Sequence, residues 1–238
     1  MIYTIGAYKG GTGKTTTAAA FSDYIARKTR KKTLVIDMNS QGSLSLITAA
    51  KGSGGTMADA IQGRTYKPEK IAERLYIIPA APELAELRNV KDISEAIREA
   101  SESFYNVVID TPPEFREAIE GALLASDRVI IPLLADVFGV QGFLQIIAAV
   151  NEAKRKRPRL QFSGVFLNQY NGRGEAARTI REAVIKAAKA EGVPYLGEVR
   201  KGVAVEKAAL TQTLLYDYEP KSNPAADFAK IFTQIIKA

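Results

Sequence analysis

Lys9-Gly10-Gly11-Thr12-Gly13-Lys14-Thr15-Thr16 is the stretch whose reading decides the fold. It stands between a short apolar run, Ile2–Gly6, and an amphipathic one, Thr15–Lys28. A strand, a glycine-rich turn and a helix in that order build a cradle for phosphate. Glycines let successive backbone N–H groups point inward, and the helix start adds the positive end of its dipole. Lys14 is placed to reach the β- and γ-phosphates of a nucleotide, the Thr15 hydroxyl to bind Mg²⁺, and Thr16 to sit near the α-phosphate. The bland alternative is a glycine-rich turn with no ligand, and the flanking strand and helix argue against it. The general pattern G-x-x-x-x-G-K-[ST] is not fully met. Its first glycine falls on Tyr8, and a lysine follows at position 9.

Outward from this loop, short β-branched runs alternate with longer amphipathic ones. Strands are expected at Ile2–Gly6, Thr33–Asp37, Leu75–Pro79, Val107–Asp110, Arg128–Leu133, Gln161–Leu167 and Leu196–Val199. Helices are expected at Thr15–Lys28, Asp92–Ser103, Arg116–Ala125, Val140–Lys156, Glu175–Glu191 and Pro224–Lys237. Runs such as Val107-Val108-Ile109 are apolar on both faces, as in a parallel sheet covered by helices. The expected fold is therefore α/β, a doubly wound, mostly parallel sheet with helices on both faces. Lys51-Gly52-Ser53-Gly54-Gly55 reads as a mobile loop.

Two of these strands end in aspartate, Asp37 and Asp110. Ligands of open α/β sheets bind at the carboxyl ends of strands, and a carboxylate there can hold Mg²⁺ directly or through water. Asp110 suits the magnesium role, and Asp37 a second magnesium contact or a place in a switch loop. Either could equally cap a turn.

Composition narrows the chemistry. The 238 residues include no cysteine and no histidine, which removes disulfides, thiol and imidazole catalysis and the usual zinc ligands. No apolar run is long enough to span a membrane, and the first residues read as a core strand, so a cytoplasmic location is expected. The net charge of +7 is one-sided: residues 151–238 hold 16 Lys/Arg against 9 Asp/Glu, and residues 1–150 hold 17 of each. Such asymmetry fits a polyanion partner, nucleic acid or an anionic membrane, and equally a solvated lysine-rich helical face. The run Lys154-Arg155-Lys156-Arg157-Pro158-Arg159 also suits a helix end, where cations complement the dipole.

The segment Lys9–Thr16 resembles the deviant Walker A motif of the ParA/MinD family of P-loop ATPases, KGGxGK[ST][ST]. Ile36-Asp37-Met38-Asn39-Ser40-Gln41-Gly42 resembles that family's D-x-D-P-Q-G motif, and Tyr105–Pro113 its Walker B and switch segment. Ala125–Pro132 is similar to the strand that follows, and Glu198–Glu206 to a late I-P-R-N-V-x-x-x-E region. The resemblance implies an ATP- and Mg²⁺-dependent ATPase that forms an ATP-sandwich homodimer. In it Lys9 crosses to the partner's nucleotide and neutralises charge in phosphoryl transfer. The implied catalytic set is Lys9, Lys14, Asp37 and Asn39, with Lys9, Gly10, Gly11, Thr12, Gly13, Lys14, Thr15, Thr16 and Asn168 on the nucleotide and Thr15, Asp37 and Asp110 on the metal. Asn168 stands where family members contact adenine. One departure matters: the second aspartate of D-x-D is Asn39, which can orient a water but cannot take its proton. Slow hydrolysis is expected, and a natural slow variant and an engineered trap read alike.

Within the family, the expected type is a small ParA of the Soj kind, for plasmid or chromosome partition. It binds DNA non-specifically, is stimulated by a ParB-like centromere-binding protein and is nucleoid-associated. A single domain over residues 1–238 is expected, without the helix-turn-helix domain that precedes the first strand in longer ParA proteins. Candidate DNA contacts are Arg173, Arg178, Arg181, Lys186, Arg200, Lys201 and Lys207. Arg178 could instead pair with Glu182. The alternative is a MinD-like membrane-associated positioning ATPase, using the apolar face of Phe228, Ile231, Phe232, Ile235 and Ile236. That face is expected to pack on the core instead, so a membrane is not an expected partner. A metabolic enzyme on the same fold is a third reading, and the absence of cysteine disfavours its iron–sulfur form.

Overall fold

The strands are β1 (Ile2–Ile5), β2 (Thr33–Asp37), β3 (Glu69–Ala72), β4 (Leu75–Ile78), β5 (Asn106–Asp110), β6 (Arg128–Leu134), β7 (Gln161–Tyr170) and β8 (Tyr195–Arg200). They form one sheet in the order β3-β4-β2-β5-β1-β6-β7-β8. This is a computed structural model, and it describes residues 1–113, 116–136 and 138–237. Every neighbouring pair is parallel except β3 with β4. β5 lies between β1 and β2, and it aligns Asp110 with Asp37 on one side and with Ile5 on the other. Three strand ends thus converge where the chain changes direction across the sheet, the place where such sheets bind ligands.

The helices are α1 (Lys14–Thr29), α2 (Ser43–Ile47), α3 (Met57–Ile61), α4 (Val90–Ser101), α5 (Arg116–Ala125), α6 (Gly139–Lys156), α7 (Glu175–Ala190), α8 (Val203–Leu210), α9 (Leu215–Tyr218) and α10 (Asn223–Lys237), with a 3-10 turn at Pro82–Glu86. Alternate residues of each strand enter opposite faces. Val35, Ile77, Val108 and Phe166 pack with Phe21 of α1 and with Phe228 and Phe232 of α10. Their strand neighbours Leu34, Ile36, Val107 and Ile109 pack under α3, α4 and α5. Val129, Ile131, Val165 and Leu167 pack under α5, α6 and α7. The ring of Phe232 lies 5.0 Å from that of Phe21 and 5.2 Å from that of Phe228.

All seven expected strands and six expected helices are present, with ends shifted by a few residues. The sequence reading did not find β3, α2, α3, α8 and α9. Glu69–Ala72 lacks strand-like alternation because it is an edge strand, half solvated and antiparallel. The glycine-rich 51–55 loop is fastened rather than free. The Glu69 carboxylate accepts from the N–H groups of Lys51 (2.9 Å) and Gly52 (3.2 Å), and Lys67 N donates to Gly54 O (2.7 Å). The apolar face of α10 is spent on the core, with Phe228, Ile231, Phe232 and Ile235 buried. Among the described residues no helix is long and apolar enough to cross a membrane.

Candidate nucleotide and magnesium site

After β1 the chain turns through Gly11 and Gly13, both left-handed (φ 75° and 85°), and enters α1 at Lys14. The start of α1 has no side-chain cap and no acid in its first turn. Its N–H groups are therefore left open for an external acceptor, as at an anion site. A β-carbon at Gly13 would lie 2.0 Å from Asn168 Nδ2, and one at Gly10 would meet nothing within 4 Å. Packing below the loop requires glycine at position 13, and the space beside Gly10 is open.

The loop is buttressed from β7. Asn168 Nδ2 donates to Thr12 O (2.9 Å), and Gln169 Nε2, from a left-handed backbone position, donates to Gly11 O (3.2 Å). Asn168 thus holds the phosphate loop. It also lines, with Thr16, Gln169, Arg200, Lys201 and Glu206, a cleft of about 250 Å³ beside that loop. Lys14 is buried and its ammonium donates to Lys9 O (2.9 Å). Burial lowers its pKa, and the nearby Asp110 partly restores it.

Asp110 is fully buried, and Thr15 Oγ1 donates to its Oδ2 (2.7 Å). Its other oxygen, Oδ1, has no hydrogen-bond partner among the described residues. Burial, and then the charge of Asp37, push Asp110 up to about 8, against the pull of Thr15 and Lys14. A buried, orphaned carboxylate oxygen beside a threonine hydroxyl is the donor set of a hard cation such as Mg²⁺. No group of three or more acidic side chains among the described residues could hold an ion alone. Phosphate oxygens and water would have to complete its shell.

Asp37 differs from Asp110 in having both oxygens engaged. Oδ1 accepts from Asn39 N (3.0 Å), and Oδ2 from Ser45 N (2.9 Å) and Ser45 Oγ (2.8 Å). Burial still raises its pKa, opposed by those donors. In this state Asp37 organises the loop from β2 to α2, and Asp110 keeps the free acceptor. Asn39 is half-buried, and its side-chain oxygen accepts from Gln41 N (3.2 Å).

Lys9 does not face its own phosphate loop. Its ammonium pairs with Asp136 and lies 5.2 Å from the centre of the Phe138 ring. Asp136, Phe138, Ser45 and Gln169 all escaped the sequence reading. Asp136 left a usable signal, since it is a third acid just past a strand end, two residues beyond β6.

The DNA candidates divide. Arg181 pairs with Glu198, and Arg200 is held by Asp227 through Nε (2.7 Å) and Nη2 (2.8 Å). Arg173, Arg178, Lys186, Lys201 and Lys207 are exposed, with no acidic partner among the described residues. The Arg178–Glu182 pair does not form.

A family model described as an AAA domain matches residues 1–162. The ParA chromosome-partitioning protein of Myxococcus xanthus is 30% identical over 198 residues, covering 74% of this chain and 67% of its own. The chain belongs to the ParA/MinD family of P-loop ATPases. It is similar over its length to the chromosome-partitioning ATPase Soj of Thermus thermophilus, at 25% identity over 96% of this chain and 92% of that one. In fold it matches apo McdA of Cyanothece (TM-score 0.84, 19% identity, 99% of this chain and 98% of that one). It likewise matches MinD of Pyrococcus horikoshii, solved with Mg-ADP (TM-score 0.81, 23% identity, 100% and 98%). Its activity is that of an ATPase.

Proposed function

We propose that this ATPase serves DNA partition: it binds Mg²⁺ and ATP, pairs with a second copy, and as a dimer holds DNA without reading its sequence. The observation that carries the proposal is the position of Lys9. The phosphate loop, Lys14, Thr15 and Asp110 are assembled within one chain, yet the second lysine is drawn off to Asp136. One subunit therefore has Lys14 but no second cation for charge developing on the transferred phosphoryl group, and a facing copy could provide it. Thr15 and the free oxygen of Asp110 would hold the metal, which would neutralise phosphate charge. Asn168 and the cleft beside Arg200 would take the nucleoside, and Asn39 would orient the attacking water.

The names of the similar proteins support the partition role. The DNA surface then falls on α7, α8 and the loops leading into them, with Arg173, Arg178, Lys186, Lys201 and Lys207 as phosphate contacts. A ParB-like protein would stimulate hydrolysis. The proposed unit is a single domain over residues 1–238, cytoplasmic and carried on the nucleoid. The apolar face of α10 is buried, so that helix does not support the membrane-associated alternative.

The test is binding to random-sequence duplex with ATP, ADP and no nucleotide over a salt series. The expected result is an ATP-dependent gain in affinity that falls steeply with salt and disappears in the double variant Arg178→Glu, Lys186→Glu. Equal binding in all three nucleotide states would overturn the partition reading.

A further inference from the structure

The amino ends of the strands, opposite the phosphate loop, carry a charge pattern that the ATPase does not use. The segments leading into β4, β2, β5, β6 and β7 lie side by side. Thr33 N donates to Arg74 O (2.8 Å), Tyr105 N to Lys32 O (3.0 Å) and Gln161 N to Asp127 O (2.9 Å). With β1 among them, these segments span five strand spacings, roughly 24 Å, about the rise of seven base pairs.

Cations line this ridge. Arg30, Lys31, Lys32, Arg155 and Arg159 are exposed, and none has an acidic partner among the described residues. Of the acids nearby, Asp127 pairs with Arg157 (2.8 Å), Glu73 with Arg74 (2.8 Å) and Glu120 with Lys156 (2.9 Å), Glu95, in one cleft with Arg159, lies 3.7 Å from Lys91, and Glu102 and Glu191 are exposed. Tyr105 stands among the cations, 61% exposed, with the Lys31 ammonium 5.7 Å from its ring centre.

Helix dipoles explain part of this. Helices of a doubly wound sheet end at this edge, and cations in their last turns are favoured there. That accounts for Lys28 of α1 and for Arg155 and Lys156 of α6. It does not account for Lys31, Lys32 and Arg159, which lie beyond the helix ends in the connecting loops. Nor does it explain a large aromatic left exposed between them.

We propose that this edge is a second binding surface for a nucleic-acid backbone, independent of nucleotide and separate from the α7 surface. The lysines and arginines contact phosphates, and Tyr105 offers a stacking face to a base where strands are unpaired. A lipid surface fits less well. It calls for a row of inserted apolar side chains, whereas Met1 and Tyr105 are the large apolar groups exposed on the ridge.

The proposal adds to the partition reading and can fail separately from it. The test uses the full chain without nucleotide, random-sequence duplex and single strand as probes, and the double variant Lys32→Glu, Arg159→Glu. Both positions are exposed and outside the nucleotide site, so folding is checked by thermal unfolding and by unchanged ATP hydrolysis. The wild type is expected to bind both probes at low salt. The variant is expected to lose at least about tenfold in affinity, with a log–log salt slope shallower by about two. Tyr105→Ala is expected to weaken single-strand binding more than duplex binding. The ATP-dependent gain assigned to α7 is expected to persist in the variant. Absence of nucleotide-free binding in the wild type, an unchanged affinity in the variant, or binding to phosphatidylserine vesicles but to neither nucleic acid would each overturn the proposal.

Discussion

At the carboxyl ends of β1, β2 and β5 the chain buries its charge, and at their amino ends it exposes it. Asp37, Asp110 and Lys14 are all buried within one cradle, and each has its pKa displaced toward the neutral form by loss of water. Around Lys32 and Arg159 the charges stand in solvent, where each is cheap to maintain and interacts weakly. The difference separates two uses of charge. Buried groups held by short hydrogen bonds can act on a few atoms of one small ligand. A row of hydrated cations suits any long anion and discriminates little.

The sharpest way to divide the two edges is to disable one. Lys14→Ala removes the buried cation, and hydrolysis is expected to fall by about 10²–10³-fold. Duplex binding without nucleotide should stay at its wild-type level in the same variant. A parallel loss of both, measured on one preparation, would show that the edges are coupled. Asn39→Asp acts in the opposite direction by restoring a proton acceptor near the attacking water. Turnover is expected to rise by about tenfold or more, a small part of what a well-placed base can supply. An unchanged single-turnover rate would show that another step limits hydrolysis.

Burial also makes the nucleotide edge sensitive to pH in a way the exposed edge is not. Asp110 has its pKa raised from 3.8 to about 8 in the folded chain. An acid raised on folding stabilises the fold fully below its unfolded pKa and loses that contribution as pH rises through the folded value. The nucleotide-free protein is therefore expected to melt at progressively lower temperature between pH 5 and about 8, and Asp110→Asn to flatten that slope. Binding of Mg²⁺ with nucleotide requires the carboxylate. Affinity is expected to climb about tenfold per pH unit below 8, with one proton released, and calorimetry in buffers of different ionisation enthalpy would count it. Duplex binding at the exposed edge should show no such slope.

The two edges also differed in how far the sequence revealed them. The phosphate loop was legible because its function constrains residue order: glycines, lysine and threonine must follow one another between a strand and a helix. Asp37 and Asp110 were legible as acids at strand ends, though not their division of labour, which depends on Ser45 engaging one and, among the described residues, only Thr15 engaging the other through a single oxygen. Asp136, just past β6, and Gln169 of β7 reach the loop from more than a hundred residues away, and only the sheet order brings them there. The amino-end ridge was read in one piece only, as the Lys154–Arg159 run. Lys31 and Lys32 lie within residues 1–150, which carry no net charge, so a count along the sequence hid them.

Lys9 stands between the two regimes. Its ion pair with Asp136 has both side chains about a third exposed, at 35% and 37%. Partly exposed pairs of this kind contribute on the order of 0–1 kcal/mol, and the Phe138 ring adds a comparable contact. Freeing the lysine should therefore change dimer-dependent hydrolysis by no more than about fivefold. Asp136→Asn is expected to raise the rate per subunit by up to that factor at protein concentrations where dimers are scarce, and to leave it unchanged where they are saturated. The direction is the informative part. A rise means that Asp136 restrains Lys9 in the single subunit and that dimerisation must first break the pair. A fall at every concentration means that Asp136 holds Lys9 at the angle needed to reach the facing nucleotide, and the pair then belongs with the buried groups that position the reaction.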